Sequence, residues 1–572
     1  MTWEKLEAQL QAARGERPAD VVLTGGLVAN VYTGEWLRRD VALFDGVIVG
    51  LGDYSGPRLD LRGRYLLPGF IDGHLHLESS MLTPRELARA LLPLGTTTII
   101  ADPHEIANVW GTAGLDYLLA AREGLPLDIF IMLPSCVPAS PLETAGARLE
   151  AADLKPYRGR PGVLGLAEVM NFPGVVAGDK GLMEKIALFS HGPIDGHAPL
   201  LTGKALNAYR LAGIGSDHEC TEAAEAREKL ELGFYLMLRE GSLAKNLTDL
   251  LPAVTPAARR RAMLVTDDCH PEDLLEWGHM NRLLAKTVSL GWDPLAAVTL
   301  ATLNPAEYFG LRDRGAIAPG LSADLVTVED LEEFRVDKVW KNGQLVAEKG
   351  KLRPEVQLPE SYLPFRPFQV KLPDLEAFFP PAAGELVKVI GLIPGQLLTR
   401  KLVLSAPVKD GRLVVDVGRD LLKLAVLERH RGTGNVGLGV VHGFGLKRGA
   451  LAATVAHDSH NLIVLGADEA DMMAAAEFLI KINGGLTAVA GGRVLAYLPL
   501  PIAGLISPQS LEEVAAAYAR LQEAYRELGG GLADPFMVLS FLALPVIPEL
   551  KLTDLGLVDV NRFQVVPLWG EE

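Results

Sequence analysis

The feature that most constrains the fold of this 572-residue chain is a long alternation of short apolar segments with helical patterns. It extends over residues 68–310, and several apolar segments end in polar residues, as in VLGLAE, GSDHE and AMLVTD. Such alternation favours a parallel sheet, and about seven or eight units favour a closed (β/α)8 barrel of the TIM type. Because active sites of such barrels lie at the carboxyl ends of the strands, these polar ends are the first candidates for a functional site.

Segments rich in β patterns flank this alternation on both sides. Short apolar runs punctuated by Gly and Asp-Gly fill residues 20–67 and recur after residue 310, where Asn342-Gly343 predicts a hairpin. A proline-rich stretch predicts a linker, and mixed strand and helix patterns after it predict a separate domain. We therefore expect an α/β protein with a helix and β segment in 1–67, the barrel in 68–310, a second β segment in 311–355, the linker in 356–373 and a C-terminal α/β domain in 374–572.

Charge, cysteines and apolar runs indicate where such a protein works. The formal net charge of -16 argues against a nucleic-acid polymer or an anionic membrane surface as partner. The scattered Cys136, Cys220 and Cys269 form no CxxC pair, which fits a reducing compartment. The charged N-terminal segment predicts an amphipathic helix and not a signal peptide, and the late apolar run is interrupted by Pro545. We expect a soluble cytoplasmic protein.

A pair of histidines in PGFIDGHLHLESS closes the first apolar segment of the alternation. His74 and His76 stand two residues apart, so on a strand both imidazoles point to the same side and can reach one metal ion. A bare His-X-His also arises by chance in half-buried strands. The position of the pair at a strand end, after Pro68-Gly69, favours the metal site.

Further histidines and acids end the later segments of the alternation. Each alone has an ordinary explanation: a solvated strand end, a loop histidine or, for Asp267, the N-cap of a following helix. Their occurrence on successive strand ends favours a shared site. Four imidazoles and two carboxylates suit two divalent ions with one carboxylate between them. The residues are His74, His76, Glu168, His197, His218 and Asp267.

Longer motifs give a resemblance to a known family. The segments HLHLESSM, ADPHEIANVWG, GLAEVMNFPGV, DGHAP, GSDHECT, TDDCHP and VAHDSHN resemble the bacterial and archaeal adenine deaminase branch of the amidohydrolase superfamily, over nearly the whole chain. The resemblance implies that the two flanking β segments form one composite β-sandwich beside the barrel. It also implies a purine base as substrate, a role in purine metabolism and a homodimer.

The resemblance implies a binuclear metal centre. His74, His76 and Asp267 would bind the more buried ion, and His197 and His218 the second. Glu168 would bridge the two ions where many relatives use a carboxylated lysine. The branch is usually described with Mn²⁺ or Fe²⁺, and Zn²⁺ suits the same donors.

The implied reaction is the hydrolysis of adenine to hypoxanthine and ammonia. Water bridging two divalent cations loses a proton near neutral pH, and the resulting hydroxide would attack C6 of adenine. Asp267 would take the proton and return it toward the leaving amine. Asp267 and the bridging Glu168 are therefore the expected catalytic residues.

Four more residues are candidates for contact with the substrate: Glu78, His104, Glu219 and Asp268. Glu78 would face the pocket if the strand continues two residues past His76; otherwise it is a solvated loop residue. Asp268 occupies the place where the similar adenosine deaminases turn an Asp to the purine, and its alternative is a helix cap. His104, like the adjacent Glu105, and Glu219 follow strand ends.

Two alternatives to a purine deaminase stay open: another cyclic amidine or amide hydrolase on the same barrel, or a catalytically dead scaffold. A cysteine-ligated base deaminase is excluded because the sequence has no PCxxC motif. The remaining motif, His457 to Asn461, is interpreted as a surface loop or a domain-docking contact. A lid or supporting role near the site follows only from the family resemblance.

Overall fold

The computed structural model describes residues 2–242, 244–360 and 362–570. Eight parallel strands follow one another in chain order around a barrel, in a five-stranded and a three-stranded sheet. The strands are Phe70–Leu75, Thr96–Ala101, Asp128–Leu133, Val163–Val169, Ile194–Gly196, Ser216–Asp217, Tyr235–Arg239 and Ala262–Val265. The amide of Gly215 donates to Ile194 O at 2.8 Å across one seam, and the amide of Asp267 donates to His74 O at 2.9 Å across the other. The predicted barrel is confirmed.

Barrel strands with a continuous run of apolar or β-branched residues are buried along their whole length. Thr96–Ala101 (TTTIIA) and Ala262–Val265 (AMLV) have no exposed residue, as expected for parallel strands that are covered on both faces. The connecting helices include Pro84–Leu91, His104–Trp110, Thr112–Ala121, Phe172–Ala177, Lys180–Leu188, Gly203–Leu211, Ala223–Glu231, Pro271–Glu276, Met280–Ser289, Pro294–Leu300 and Leu303–Phe309. The barrel interior is filled by apolar side chains such as Ile100, Met132 and Met263, so it is a packed core and not a channel.

The two flanking β segments join into one sandwich. Leu325–Val328 pairs antiparallel with Tyr65–Pro68, which pairs parallel with Leu27–Asn30, so segments from both ends of the barrel share a seven-stranded sheet. Its other strands are Glu35–Leu37, Val336–Lys341, Gln344–Glu348 and Lys351–Leu352. The facing sheet contains Val21–Thr24, Val41–Phe44, Val47–Leu51 and Arg58–Asp60, and the predicted N-terminal helix spans Trp3–Ala13. The composite sandwich is confirmed.

The C-terminal part is built on an eight-stranded, mostly antiparallel sheet. In spatial order its strands are Thr399–Ser405, Leu386–Leu392, Val436–His442, Leu422–Leu427, Leu462–Gly466, Ala450–Ala453, Gly485–Ala490 and Arg493–Pro499. Helices Glu469–Lys481, Leu511–Glu527 and Pro535–Phe541 and a small sheet of Leu550–Thr553, Gly556–Asp559 and Gln564–Val566 complete it. The predicted C-terminal α/β fold is confirmed. No helix among the described residues is both long and apolar enough to cross a bilayer.

The C-terminal part docks on the carboxyl-terminal side of the barrel. The amide of Ser507 donates to Met81 O at 2.8 Å, just after the first barrel strand. The amide of Thr144, in the loop after the third strand, donates to Asp554 Oδ1 at 2.8 Å. The C-terminal part therefore lies over the strand ends that carry the candidate site.

A buried ion network between sandwich and barrel generates the first prediction. Lys341 Nζ lies 2.6 Å from Asp128 Oδ2 on a barrel strand and also contacts the buried Asp324. Removing Lys341 leaves the buried Asp324 with the longer contact to Arg314, at 4.0 Å, and breaking a buried ion pair costs about 3 kcal/mol. Lys341→Met is expected to lower the urea midpoint of unfolding accordingly, while Lys351→Met, at an exposed strand position, leaves it unchanged. Equal midpoints for both variants would contradict this.

Candidate active site

The six predicted metal ligands converge at the carboxyl ends of the barrel strands. Five of them are buried, and the His197 side chain is 29% exposed. His74 and Glu168 lie on the first and fourth strands, and the other four follow the first, fifth, sixth and eighth. They come from five of the eight strands, as the sequence analysis predicts. The members are His74, His76, Glu168, His197, His218 and Asp267.

Asp267 joins two of these histidines from the opposite side of the barrel seam. Its Oδ1 lies 3.3 Å from His74 Nε2 and 3.1 Å from His76 Nε2. Its Oδ2 lies 3.0 Å from Arg239 Nη1. Burial raises the pKa of Asp267, but the adjacent imidazoles of His74 and His76 and the Arg239 charge together outweigh it, so the pKa is well below its usual value. Asp267 is therefore a carboxylate at neutral pH.

Glu168 lies between two groups of histidines. Its Oε1 is 3.6 Å from His76 Nε2 and 3.4 Å from His104 Nδ1. Its Oε2 is 2.5 Å from His197 Nδ1 and 3.1 Å from His218 Nε2. Each carboxylate oxygen thus faces a different group, which is the arrangement that a carboxylate bridging two cations requires.

The donor set fits divalent metal ions. His74 Nε2 and His104 Nδ1 are buried without a hydrogen-bond partner although carboxylate oxygens face them. Buried polar atoms of this kind are normally satisfied, and a bound cation satisfies several at once. The ligand-bearing atoms fall into compact sets within 4.8 Å, one around His74, His76 and Asp267 and one around Glu168, His74 and His218.

Two polar strand-end residues were missed by the sequence analysis. Asp102 follows the second strand, and its Oδ1 lies 3.3 Å from His104 Nδ1. Arg239 ends the seventh strand; besides Asp267 it contacts Glu219 and donates to Asn246 Oδ1 at 3.2 Å. The strand-end rule that identified the other ligands applies equally to the ADPHE and LMLRE segments, so both residues had the same sequence signal.

Glu219, predicted to contact substrate, lies beside the second group of ligands. Its Oε1 is 3.5 Å from His218 Nε2 and 3.9 Å from His197 Nδ1. Burial raises the pKa of Glu219, but the charges of Arg239, His197 and His218 together outweigh burial and lower the pKa. The structure thus places Glu219 in an ion pair at the edge of the metal-ligand set.

Glu78 lies near the site for a different reason from the one predicted. The first strand ends at Leu75, and Glu78 belongs to a 3-10 turn, Leu77–Ser80, so the two-residue periodicity does not extend to it. The alternative of a solvated loop residue is also wrong, because Glu78 is 3% exposed. Its Oε1 accepts the Ile106 amide at 3.0 Å, and its Oε2 is buried without a partner. Burial raises its pKa.

Asp268 is turned toward the same turn rather than acting as a helix cap. It accepts a hydrogen bond from the Ser79 hydroxyl, one residue after Glu78. Helix Pro271–Glu276 instead has His270 at its N-cap. Glu78 and Asp268 therefore approach the site from the ends of the first and eighth strands.

The segment from His457 to Asn461 lies beside the candidate site, so the surface-loop interpretation is wrong and the docking interpretation is confirmed. All five residues are buried. Asp458 Oδ1 lies 4.0 Å from His104 Nε2, and His457 Nδ1 lies 3.4 Å from Glu105 Oε1. No local sequence signal places it there, because the contact joins residues about 350 positions apart in the chain.

A second buried network holds the metal-ligand strands from below. Asp72 Oδ1 accepts the amides of His74 and Thr266, each at 3.2 Å. Its Oδ2 accepts the Thr266 hydroxyl at 2.5 Å and lies 3.1 Å from His279 Nε2. One carboxylate therefore connects the first and eighth strands directly beneath the ligands that these strands carry.

Two family models match successive parts of the chain. Residues 65–346 match the model described as Amidohydrolase family, which covers the barrel and most of the second β segment. Residues 396–564 match the model described as Adenine deaminase C-terminal domain. The barrel fold is that of an amidohydrolase.

Curated relatives match nearly the whole chain. Adenine deaminase 2 of Carboxydothermus hydrogenoformans is 52% identical over 98% of this chain and 98% of its own. The adenine deaminase of Desulfatibacillum aliphaticivorans is 50% identical over 98% and 99%, and that of Dehalococcoides mccartyi strain 195 is 49% identical over 98% and 99%. The chain belongs to the adenine deaminase family.

The Asp72 network generates a prediction about the site. Asp72→Ala leaves two buried amides, the Thr266 hydroxyl and His279 without their acceptor, which costs about 3 kcal/mol or more. We expect a lower urea midpoint and less bound divalent metal by elemental analysis, because His74 loses its support. Asp72→Asn keeps an oxygen that can accept from the amides of His74 and Thr266. It should therefore lose less than half as much stability as Asp72→Ala.

The control for this prediction is Asp53→Ala, whose side chain is 94% exposed. Asp53→Ala is expected to leave both the midpoint and the metal content unchanged. Asp72→Ala protein with wild-type stability and metal content would show that the network does not support the site.

Proposed function

We propose that the chain is a metal-dependent adenine aminohydrolase that converts adenine and water into hypoxanthine and ammonia. The observation that carries the proposal is the convergence of four imidazoles and two carboxylates on one barrel rim, in a chain of the adenine deaminase family. A set in which all six residues are present, five of them buried, argues against a catalytically dead scaffold.

The residues beside the ligands support an aminopurine as the substrate. Glu78 and Asp268 approach the site as buried or half-buried acids, and Glu105 follows the second strand. Burial raises the pKa of Glu105 well above its usual value, and the neighbouring Glu78 adds to this rise. Acids crowded in this way are stabilised by N–H donors, and adenine offers both an exocyclic amine and a ring N–H.

The metal centre would be divided between the two groups of histidines. His74, His76 and Asp267 would hold one ion, His197 and His218 the other, with Glu168 between them. When bound, the ions supply the positive charge that makes water acidic enough to act as a nucleophile near neutral pH. Mn²⁺ is the first ion to test, with Fe²⁺ and Zn²⁺ as alternatives, because imidazole and carboxylate donors suit all three.

Asp267 would move the proton. Its Oδ2 contacts Arg239 and its Oδ1 faces His74 and His76. The two histidines and Arg239 together lower the pKa of Asp267 and keep it ionised. Asp267 takes one proton from the attacking water as the C6–O bond forms, and gives it to the exocyclic nitrogen as the C6–N bond breaks. The second proton of the water ends on N1 of the ring, the water oxygen becomes the C6 oxygen of hypoxanthine, and the amine leaves as ammonia.

We further propose that the protein acts in purine metabolism in the cytoplasm, as a homodimer. The three cysteines are free and buried, which supports a reducing compartment. The negative net charge favours a free base over a nucleic-acid polymer as partner.

The proposed activity is tested with Mn²⁺-loaded protein and a panel of substrates. Ammonia release is expected from adenine but not from adenosine or cytosine, with hypoxanthine formed in equal amount. Chelation of the metal should abolish release, and added Mn²⁺ should restore it. Turnover of dihydropyrimidines or hydantoins in place of adenine would support another cyclic amide hydrolase and contradict the proposal.

The role of Asp267 is tested by Asp267→Asn. Loss of the proton acceptor is expected to lower kcat by about 10²-fold or more, the usual contribution of a general acid–base group. Asp268→Asn, at the adjacent position, should mainly raise KM because it acts on substrate binding. Metal content and the unfolding midpoint of both variants are measured in parallel. An Asp267→Asn protein that retains its metal and wild-type kcat would remove the residue from the mechanism.

A further inference from the structure

The C-terminal domain places a short docking segment, residues 457–461, against the start of helix His104–Trp110. The segment contacts two adjacent barrel residues. Asp458 faces His104, and His457 and His460 face the two carboxylate oxygens of Glu105. Nothing in the proposed metal set requires these two histidines.

The hydrogen bonding of His460 defines which of its nitrogens carries the proton. The amide of Ala456 donates to His460 Nδ1 at 3.2 Å, so Nδ1 is an acceptor and the proton is on Nε2. His460 Nε2 lies 3.9 Å from Glu105 Oε2 and is buried without another partner. A protonated nitrogen has no lone pair for a metal, which argues against a third ion at this cluster and in favour of a donor to Glu105.

His457 offers a second donor to the same carboxyl. Its Nδ1 faces two carboxylate oxygens, at 3.4 Å from Glu105 Oε1 and 3.8 Å from Asp458 Oδ1, which favours a proton on Nδ1. The ring stacks on Phe541, with centroids 4.4 Å apart and planes at 21°. The stacking holds the imidazole in the orientation that points Nδ1 at Glu105.

The docking segment is itself held by buried contacts. Arg429, 2% exposed, donates to His460 O and to Ala503 O, the latter at 2.9 Å. Asn461 Nδ2 donates to Thr144 O in a barrel loop at 2.8 Å. A segment fixed on both sides can hold a partner carboxyl in place.

We propose that His457 and His460 are positioning residues of the purine site, which hold the Glu105 carboxylate as the acceptor for a ring N–H of the purine. This inference rests on the proposed function. The two N–H groups favour the ionised form of Glu105, against the rise in its pKa that burial and Glu78 cause, and they fix the direction of its oxygens. The present separations are within about 1 Å of hydrogen-bond distance, and contacts of this kind often tighten when substrate binds. The C-terminal domain thereby contributes to substrate binding and not to metal binding.

The test compares two amides of different length at each histidine. The amide nitrogen of Gln reaches the place of Nε2, whereas that of Asn reaches the place of Nδ1. His460→Gln and His457→Asn therefore keep the donor to Glu105, and His460→Asn and His457→Gln remove it. The matched variants are expected to keep the KM for adenine within about threefold. The mismatched variants are expected to raise the KM about tenfold or more with little change in kcat, since they remove a hydrogen bond to a charged group that contacts substrate.

At His460, backbone strain predicts the opposite order of the Asn and Gln variants. The comparison therefore distinguishes a positioning role of His460 from a structural one. His460 has φ +54°, a region that Asn tolerates better than Gln. A merely structural role for His460 would therefore make His460→Asn the milder variant, the reverse of the proposed order. Metal content and unfolding midpoints are measured for all four variants. His442→Asn, at an exposed histidine of the same domain, should behave as wild type.

The possible outcomes separate this inference from the function on which it rests. Wild-type protein that deaminates adenine, with the same KM in matched and mismatched variants, overturns the inference and leaves the function standing. A loss of bound Mn²⁺ in the mismatched variants also overturns it, because the histidines would then act on the metal set. Wild-type protein without adenine deaminase activity overturns both.

Discussion

The candidate site depends on the closure of the barrel between its first and last strands. The amide of Asp267 donates to His74 O at 2.9 Å, and the amide of His76 donates to Asp267 O at 3.0 Å. These hydrogen bonds bring the carboxylate of Asp267 against both imidazoles of the first strand. Because the strands are parallel, their carboxyl ends lie on one rim of the barrel. The other candidate ligands therefore lie on the same rim.

The site brings many charged groups together in a buried volume, where its acids pair with imidazoles and a guanidinium. Glu168 faces histidines with both oxygens, and Asp267 faces histidines with one oxygen and Arg239 with the other. Buried carboxylates without such partners are costly, which explains why acid and imidazole alternate around the rim. The imidazole nitrogens without hydrogen-bond partners are the positions where this compensation is incomplete and a cation fits.

Beneath and above the ligands, two further networks make the site part of the whole molecule. Asp72 connects the first and eighth strands from below and is supported by His279. The docking segment of the C-terminal domain covers His104 and Glu105 from above. The carboxyl-terminal side of the barrel is thus enclosed by residues from distant parts of the chain, and its geometry depends on the docking of the C-terminal domain.

The amino-acid sequence by itself determined the barrel, the composite sandwich and the six converging ligands. The barrel and the ligand candidates follow from local information: apolar runs of strand length, their alternation with helices, and polar residues such as His74, Glu168 and Asp267 at strand ends. Arg239 and Asp102 carry the same signal. The composite sandwich follows from the family resemblance of the sequence. Only the tertiary structure decided the surroundings of Glu78, whose strand ends at Leu75, and the place of the 457–461 segment. A turn that interrupts a strand and a contact between residues far apart in the chain have no periodicity, so they are decided by packing and not by local pattern.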